Sequence, residues 1–247
     1  MTIHIFDGFT CDMRWPGKLK TGMACTLVDT HQGPVLIDTG PGLADYSNPH
    51  WMMRLYRVMF SLRFDPQQAA VHQVQQLGYD PRAVRHIILT HMHFDHCGGL
   101  PDFPWAKVHV HRREYESFTG QARRWTDLAY IQRHIRTVPE WALYDSGEAS
   151  WYDFQAIRLP FEPEMWLVPL HGHSRGHCGV AVRLGNGWFF NAADAGAVYN
   201  DTTPAWLIRL VLGPHDGRLR AFMREHPEVR LANSHMWPEW FERSVID

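Results

Sequence analysis

Long apolar runs are missing from this sequence, and no stretch reaches the roughly 20 residues a membrane-spanning helix needs. The opening MTIHIFDGFTCDMRW has neither a basic leader nor a continuous apolar segment, so a cytoplasmic location is expected from it. An excess of charge is missing as well. Lys and Arg number 24 against 26 Asp and Glu, a formal net charge of −2, with no run of one sign. Gripping a phosphate backbone draws on clustered basic side chains, so nucleic acid is not an expected partner, nor is a membrane; a small-molecule substrate is. Cysteine is scarce: Cys11, Cys25, Cys97 and Cys178 form no CxxC pair, which removes a thiolate zinc site and a thioredoxin-type motif and leaves reduced thiols. Repeats, low-complexity tracts and Ser/Gly linkers are absent too. A length of 247 residues with 45% hydrophobic content suits a single domain over 1–247 with a sizeable core.

What is present alternates β-rich and helical patterns. Residues 23–38 place two β-rich runs around a polar His31-Gln32-Gly33 turn, the pattern of a hairpin, closed by Thr39-Gly40-Pro41-Gly42. Over 48–64, Trp51, Met52, Tyr56, Met59 and Phe60 fall near helical spacing between Arg54, Arg57 and Arg63, which predicts an amphipathic helix or a pair of short ones. Its apolar face suits three uses: packing on the core, walling a substrate pocket, or joining two copies in a homodimer. A helix over 66–77, closed by Gly78, precedes a buried strand over 83–89, and a strand over 107–110 precedes a polar helical stretch over 112–136. A strand over 166–170 follows, then a hairpin of 179–184 and 188–192 around Asn186-Gly187, helices over 204–212 and 216–225, and a strand over 229–232. This is an α/β pattern: two sheets covered by helices on the outside, with helical insertions near 44–64 and 112–150.

Histidine is the abundant residue, at 17. The strand over 83–89 runs straight into Thr90-His91-Met92-His93-Phe94-Asp95-His96-Cys97-Gly98-Gly99, with four potential metal ligands within six residues. At a strand end, residues two apart point the same way, so His91 and His93 can converge on one metal while a turn directs Asp95 and His96 to a second. A single buried histidine is usually a hydrogen-bonded core residue. Three imidazoles and a carboxylate packed together are different, because they repel when protonated and leave polar groups unsatisfied when neutral. A cation answers both problems.

On these residues the chain resembles the metallo-β-lactamase superfamily, whose HxHxDH motif matches His91, His93, Asp95 and His96. Upstream, Val35-Leu36-Ile37-Asp38-Thr39-Gly40 looks like the family's strand and loop before the site, where the aspartate supports a ligand histidine. Downstream, Leu170-His171-Gly172-His173-Ser174-Arg175-Gly176-His177 resembles the family's TPGHT-type loop and makes His173 a ligand, with His171 and His177 as neighbours that compete for the role. Asp194, after a hydrophobic strand, matches the bridging aspartate, and His235, after a short strand, matches the last histidine; Asp201 and His226 are their competitors. His109, His111 and His134 read as ordinary surface or supporting residues. The resemblance implies an αββα four-layer sandwich, the metallo-β-lactamase fold.

It also implies two divalent metal ions, zinc by donor type, with iron, manganese or cobalt suiting the same oxygen and nitrogen set. His91, His93 and His173 would hold one ion and Asp95, His96 and His235 the other, with Asp194 bridging. The chemistry implied is attack of a metal-bound hydroxide on an electrophilic carbonyl or phosphoryl centre, with Asp95 as the catalytic proton carrier. Among members with this full ligand set the chain most resembles quorum-quenching N-acyl homoserine lactonases, which implies a lactone or small ester as substrate. It departs from them at Ala197, where they carry a tyrosine three residues after the bridging aspartate; Tyr199 is the nearest substitute. Alternatives are a glyoxalase II type thioester hydrolase, for which no basic cluster is evident near the chain's end, a phosphotriesterase, and a mono-iron persulfide dioxygenase, which an intact Asp194 and His235 oppose.

Overall fold

The computed structural model of the protein describes residues 2–13, 19–63, 65–120, 125–145, 147–197, 203–235 and 245–246. Its first half builds β1 (Ile3–Met13), β2 (Leu19–Thr30), β3 (Gly33–Ile37), β4 (Leu62–Arg63), β5 (His86–Ile88), β6 (Lys107–His111) and β7 (Glu140–Tyr144). They form one sheet in the order β1-β2-β3-β5-β6-β7, with β4 paired to β1. Contacts are antiparallel from β1 to β3 and parallel from β3 to β7. The second half adds a small hairpin, β8 (Ser150–Trp151) with β9 (Phe154–Gln155), and then β10 (Ile157–Leu159), β11 (Met165–Pro169), β12 (Cys178–Leu184), β13 (Gly187–Asn191) and β14 (Val229–Ala232). These last five strands lie side by side in chain order, and β15 (Val245–Ile246) returns to pair with β1.

The helices are α1 (Leu43–Ser47), α2 (Trp51–Phe60), α3 (Ala70–Gln76), α4 (Phe94–Cys97), α5 (Arg112–Thr119), α6 (Ala205–Leu212) and α7 (Asp216–Glu225). Period-two alternation sorts side chains into layers. Val35, Ile37 and Ile88 of the first sheet pack against Val180, Val182 and Phe189 of the second, which forms the core between the sheets. Their neighbours Leu36 and Ile87 face outward onto Val74 of α3 and Phe118 of α5. Ala181 and Phe190 face the opposite outside, onto Leu219 and Phe222 of α7. The order is helix, sheet, sheet, helix, as an αββα sandwich requires, and each fully buried Leu, Ile or Phe adds about 1.5–3 kcal/mol.

The predicted hairpins form where expected. Gly33 and Gly187 take positive φ values of 98° and 136° at the two turns, a conformation that glycine adopts without a Cβ penalty. Strands β1, β4, β7, β8, β9, β10 and β15 were not expected, and for β1 and β7 the physical reason is visible. In β1 a register shift between Asp7 and Thr10 interrupts the alternation. The helical insertion expected to reach about residue 150 ends earlier, with a 3₁₀ turn at Gln132–Ile135, and Glu140–Tyr144 becomes the parallel neighbour of β6. Val138, Trp141 and Leu143 are partly buried on the outer core of the first sheet, and pairing with β6 fixes the segment at the sheet edge. No helix among the described residues is long and apolar enough to cross a membrane.

Candidate metal centre

β5 delivers the HMHFDH segment to the junction of the two sheets. Just past the strand, Thr90 donates from its N–H and its hydroxyl to Asp38 Oδ1 and Oδ2, at 2.9 and 2.7 Å. Asp38 sits beyond the end of β3 with φ at 57°, a left-handed value that aspartate tolerates better than most residues. These bonds hold the loop at the point where the candidate ligand side chains begin. His93 stands at the start of α4, and the helix turn carries Asp95 and His96.

The side chains then converge. His91 Nε2 and His173 Nε2 lie 3.1 and 3.0 Å from His93 Nδ1. Nitrogens sharing one tetrahedral zinc at 2.0–2.1 Å would stand about 3.3 Å apart, so three lone pairs already surround one point. Asp194 Oδ2 lies 3.4 Å from His173 Nε2, 3.6 Å from His96 Nε2 and 3.2 Å from His235 Nε2. Asp95 Oδ2 completes the second group, 4.0 Å from His96 Nε2 and 3.7 Å from His235 Nε2. One carboxylate oxygen thus faces both groups.

Hydrogen bonds on the far side of three of the rings set which nitrogen points inward. His173 Nδ1 donates to the Val211 carbonyl at 2.8 Å, His235 Nδ1 to the Gly22 carbonyl at 2.9 Å, and His96 Nδ1 to Asp38 Oδ2 at 2.9 Å. A neutral imidazole that donates from Nδ1 presents a lone pair at Nε2, the form in which histidine binds a metal. His96 Nε2 and Asp194 Oδ1 are buried with no hydrogen-bond partner among the described residues. Orphaned atoms of this kind are expensive in a protein interior, and a cation would satisfy them.

Electrostatics favours a cation at the same place. Burial, and then the neighbouring imidazoles, holds His91 and His93 well below the ordinary histidine pKa, which keeps both imidazoles neutral. At His235, burial is outweighed by Asp194 and Asp95, and the pKa is pushed up to about 9. At His96, burial is outweighed by Asp194, Asp38 and Asp95, which raise it well above the usual range. Carboxylates that attract a proton to these nitrogens would equally attract a metal ion. The residues therefore fit two divalent cations, in overlapping sets of His91, His93 and His173; His91, His96 and Asp194; and Asp95, His96 and His235.

The competing histidines go elsewhere. His177 is fully buried, and its Nε2 accepts from the Asp194 N–H at 3.0 Å while Nδ1 donates to the Leu170 carbonyl at 3.1 Å, so it holds Asp194 in place. His171 packs edge-on against His111, and His226 contacts Glu228. His109 bonds His86 and Tyr144 between the sheets. His134 is buried against Asp45 at 2.9 Å. Asp201 and Tyr199 lie outside the described residues, and Ala197 is half-buried with its N–H on Asp216. Sequence reasoning missed Glu114, a fully buried carboxylate beside the loops that carry the histidine cluster; in RREYESFT it reads like any charged residue of a polar helix.

Residues 23–218 match the metallo-beta-lactamase superfamily, and the chain belongs to that superfamily. Among curated proteins it is similar to a probable metallo-hydrolase of Mycobacterium bovis, 36% identical over 172 residues that make up 68% of this chain and 55% of that protein. It is also similar to the N-acyl homoserine lactonase AiiA of Bacillus thuringiensis subsp. kurstaki, 33% identical over 164 residues, 66% of this chain and 59% of that one. The chain therefore spans less than two thirds of the length of these relatives. Among solved structures it resembles an N-acyl homoserine lactone hydrolase with the product N-hexanoyl-L-homoserine bound at its catalytic metal centre, with a TM-score of 0.69 at 22% identity over 95% of this chain and 92% of that one. A probable metal-dependent hydrolase from Staphylococcus aureus gives a TM-score of 0.69 at 17% identity, over 94% and 88% of the two chains. At these identities the structural likeness shows the fold.

Proposed function

We propose that this chain is a hydrolase which opens a lactone or small ester at a dinuclear centre, with His91, His93 and His173 on one ion, Asp95, His96 and His235 on the other, and Asp194 between them. The observation that carries this reading is Asp194 Oδ2, placed within 3.6 Å of imidazole nitrogens from both groups. Two divalent cations, zinc by donor type, would supply Lewis acidity toward the ester carbonyl and bring the pKa of water down to about 7. Asp95 is the proton carrier: its side chain is 16% exposed against 4% for Asp194, so its carboxylate can meet substrate. Its free oxygen would take a proton from the attacking water and hand it to the departing alcohol oxygen.

Lactone specificity is supported by the relatedness to N-acyl homoserine lactonases. The homodimer belongs to the same proposal. Its contact is the outward face of α2, where Trp51, Leu55, Val58 and Met59 are exposed, and a monomer in light scattering would end it. The activity is tested with a panel of lactones, thioesters, aryl esters and phosphotriesters, before and after chelation. Lactone turnover that disappears on chelation and returns with zinc is expected. No turnover of any class by metal-loaded protein would overturn the reading.

A further inference from the structure

Glu114, on α5, is fully buried and accepts four hydrogen bonds from uncharged groups. Oε1 takes the Met92 N–H at 3.0 Å and the Tyr130 hydroxyl at 2.9 Å. Oε2 takes the Ser174 hydroxyl at 2.8 Å and the Gly176 N–H at 2.9 Å. Met92 lies between His91 and His93, and Ser174 follows His173, so one carboxylate grips both loops that carry this group of histidines. The packing leaves no slack: a Cβ on Gly176 would collide with the Glu114 backbone N. A buried anion whose direct partners are all neutral is costly unless positive charge lies nearby, and the two loops it grips lead to the point where three imidazole lone pairs meet.

We propose that Glu114 is a positioning residue that presets the His91, His93 and His173 site for its metal ion and has little hold on the Asp95, His96 and His235 site. This rests on the dinuclear reading above. Glu114→Gln isolates the effect, because an amide offers one accepting oxygen and one NH2 group. Whichever way it turns, the NH2 faces a backbone N–H, either that of Met92 or that of Gly176, and neither can rotate away.

The test is zinc titration of metal-free protein against a chromophoric chelator, with the thermal midpoint of the metal-free form measured in parallel. Wild-type protein is expected to take up two ions. Glu114→Gln is expected to keep one ion at wild-type affinity and to bind the other ~10–100-fold more weakly, as loss of a group supporting metal ligands typically does. Ser174→Ala, which removes one bond and leaves the charge, should weaken the same ion less. If Glu114→Gln fails to fold, Ser174→Ala carries the test alone. Two ions at wild-type affinity in the variants, or equal weakening of both ions with a lowered metal-free midpoint, would overturn this inference only. Wild-type protein that takes up no ion would overturn the metal-centre reading as well.

Discussion

Asp38 Oδ2 and His96 Nδ1 stand 2.9 Å apart, with both side chains fully closed to solvent. The same carboxylate accepts twice from Thr90, so all its donors are committed. Asp38→Asn keeps the shape but turns an NH2 toward one of those donors. Metal affinity is expected to fall ~10–100-fold, as for other groups that support a ligand histidine. Isothermal titration with zinc measures it, and unchanged affinity would separate Asp38 from the centre.

His93 and His134 form a contrasting pair. His93 Nδ1 meets two imidazole nitrogens, whereas His134 meets Asp45, which also binds Arg133. His93→Ala should lose metal and activity together. His134→Ala should keep both while losing about 1–3 kcal/mol of stability, because it deprives a buried carboxylate of one partner. Metal content and urea unfolding of the two variants separate these outcomes, and equal metal loss would reject the ligand assignment.

Acid should act on the fold through His109. Burial, then His86 and Lys107, pushes its pKa down to about 3, while an unfolded histidine titrates near 6.5. The unfolded chain therefore binds the proton first. The contribution of neutral His109 is fully present above about pH 6.5 and is lost as pH falls toward 3, at up to about 1.4 kcal/mol per pH unit. In His109→Gln this slope is removed, so the stability gap between wild type and variant should narrow as pH falls from 7 to 4. A gap independent of pH would contradict it.

Two glycines should respond in opposite ways. A Cβ at Gly176 meets the Glu114 backbone, whereas at Gly217, in the first turn of α7, nothing lies within 4 Å. Gly176→Ala is expected to be strongly destabilising. Gly217→Ala should be neutral or stabilise by up to ~1 kcal/mol through helix propensity. Thermal melts of the metal-free variants check both without reference to activity.

Much of this was legible because local pattern and tertiary outcome agree. The β12–β13 hairpin follows from Asn186-Gly187, α7 and β14 occupy the expected residues, and the HMHFDH segment leaves its strand where the sheets meet. β1 was hidden because Gly8, Asp7 and Thr10 break its alternation around a bulge. β7 was hidden because Glu140–Tyr144 is only partly buried, so its strand identity comes from pairing with β6. Glu114 is illegible for a related reason: its donors lie 22 residues back and 16, 60 and 62 residues ahead, and only the fold brings them to it.

Elemental analysis of purified wild-type protein, with protein quantified on the same sample, tests the central claim most directly. Two divalent ions per chain, falling to none in a His93→Ala, His235→Ala double variant, is the result expected from seven converging ligands. A single ion per chain, or two ions retained in the double variant, would contradict it.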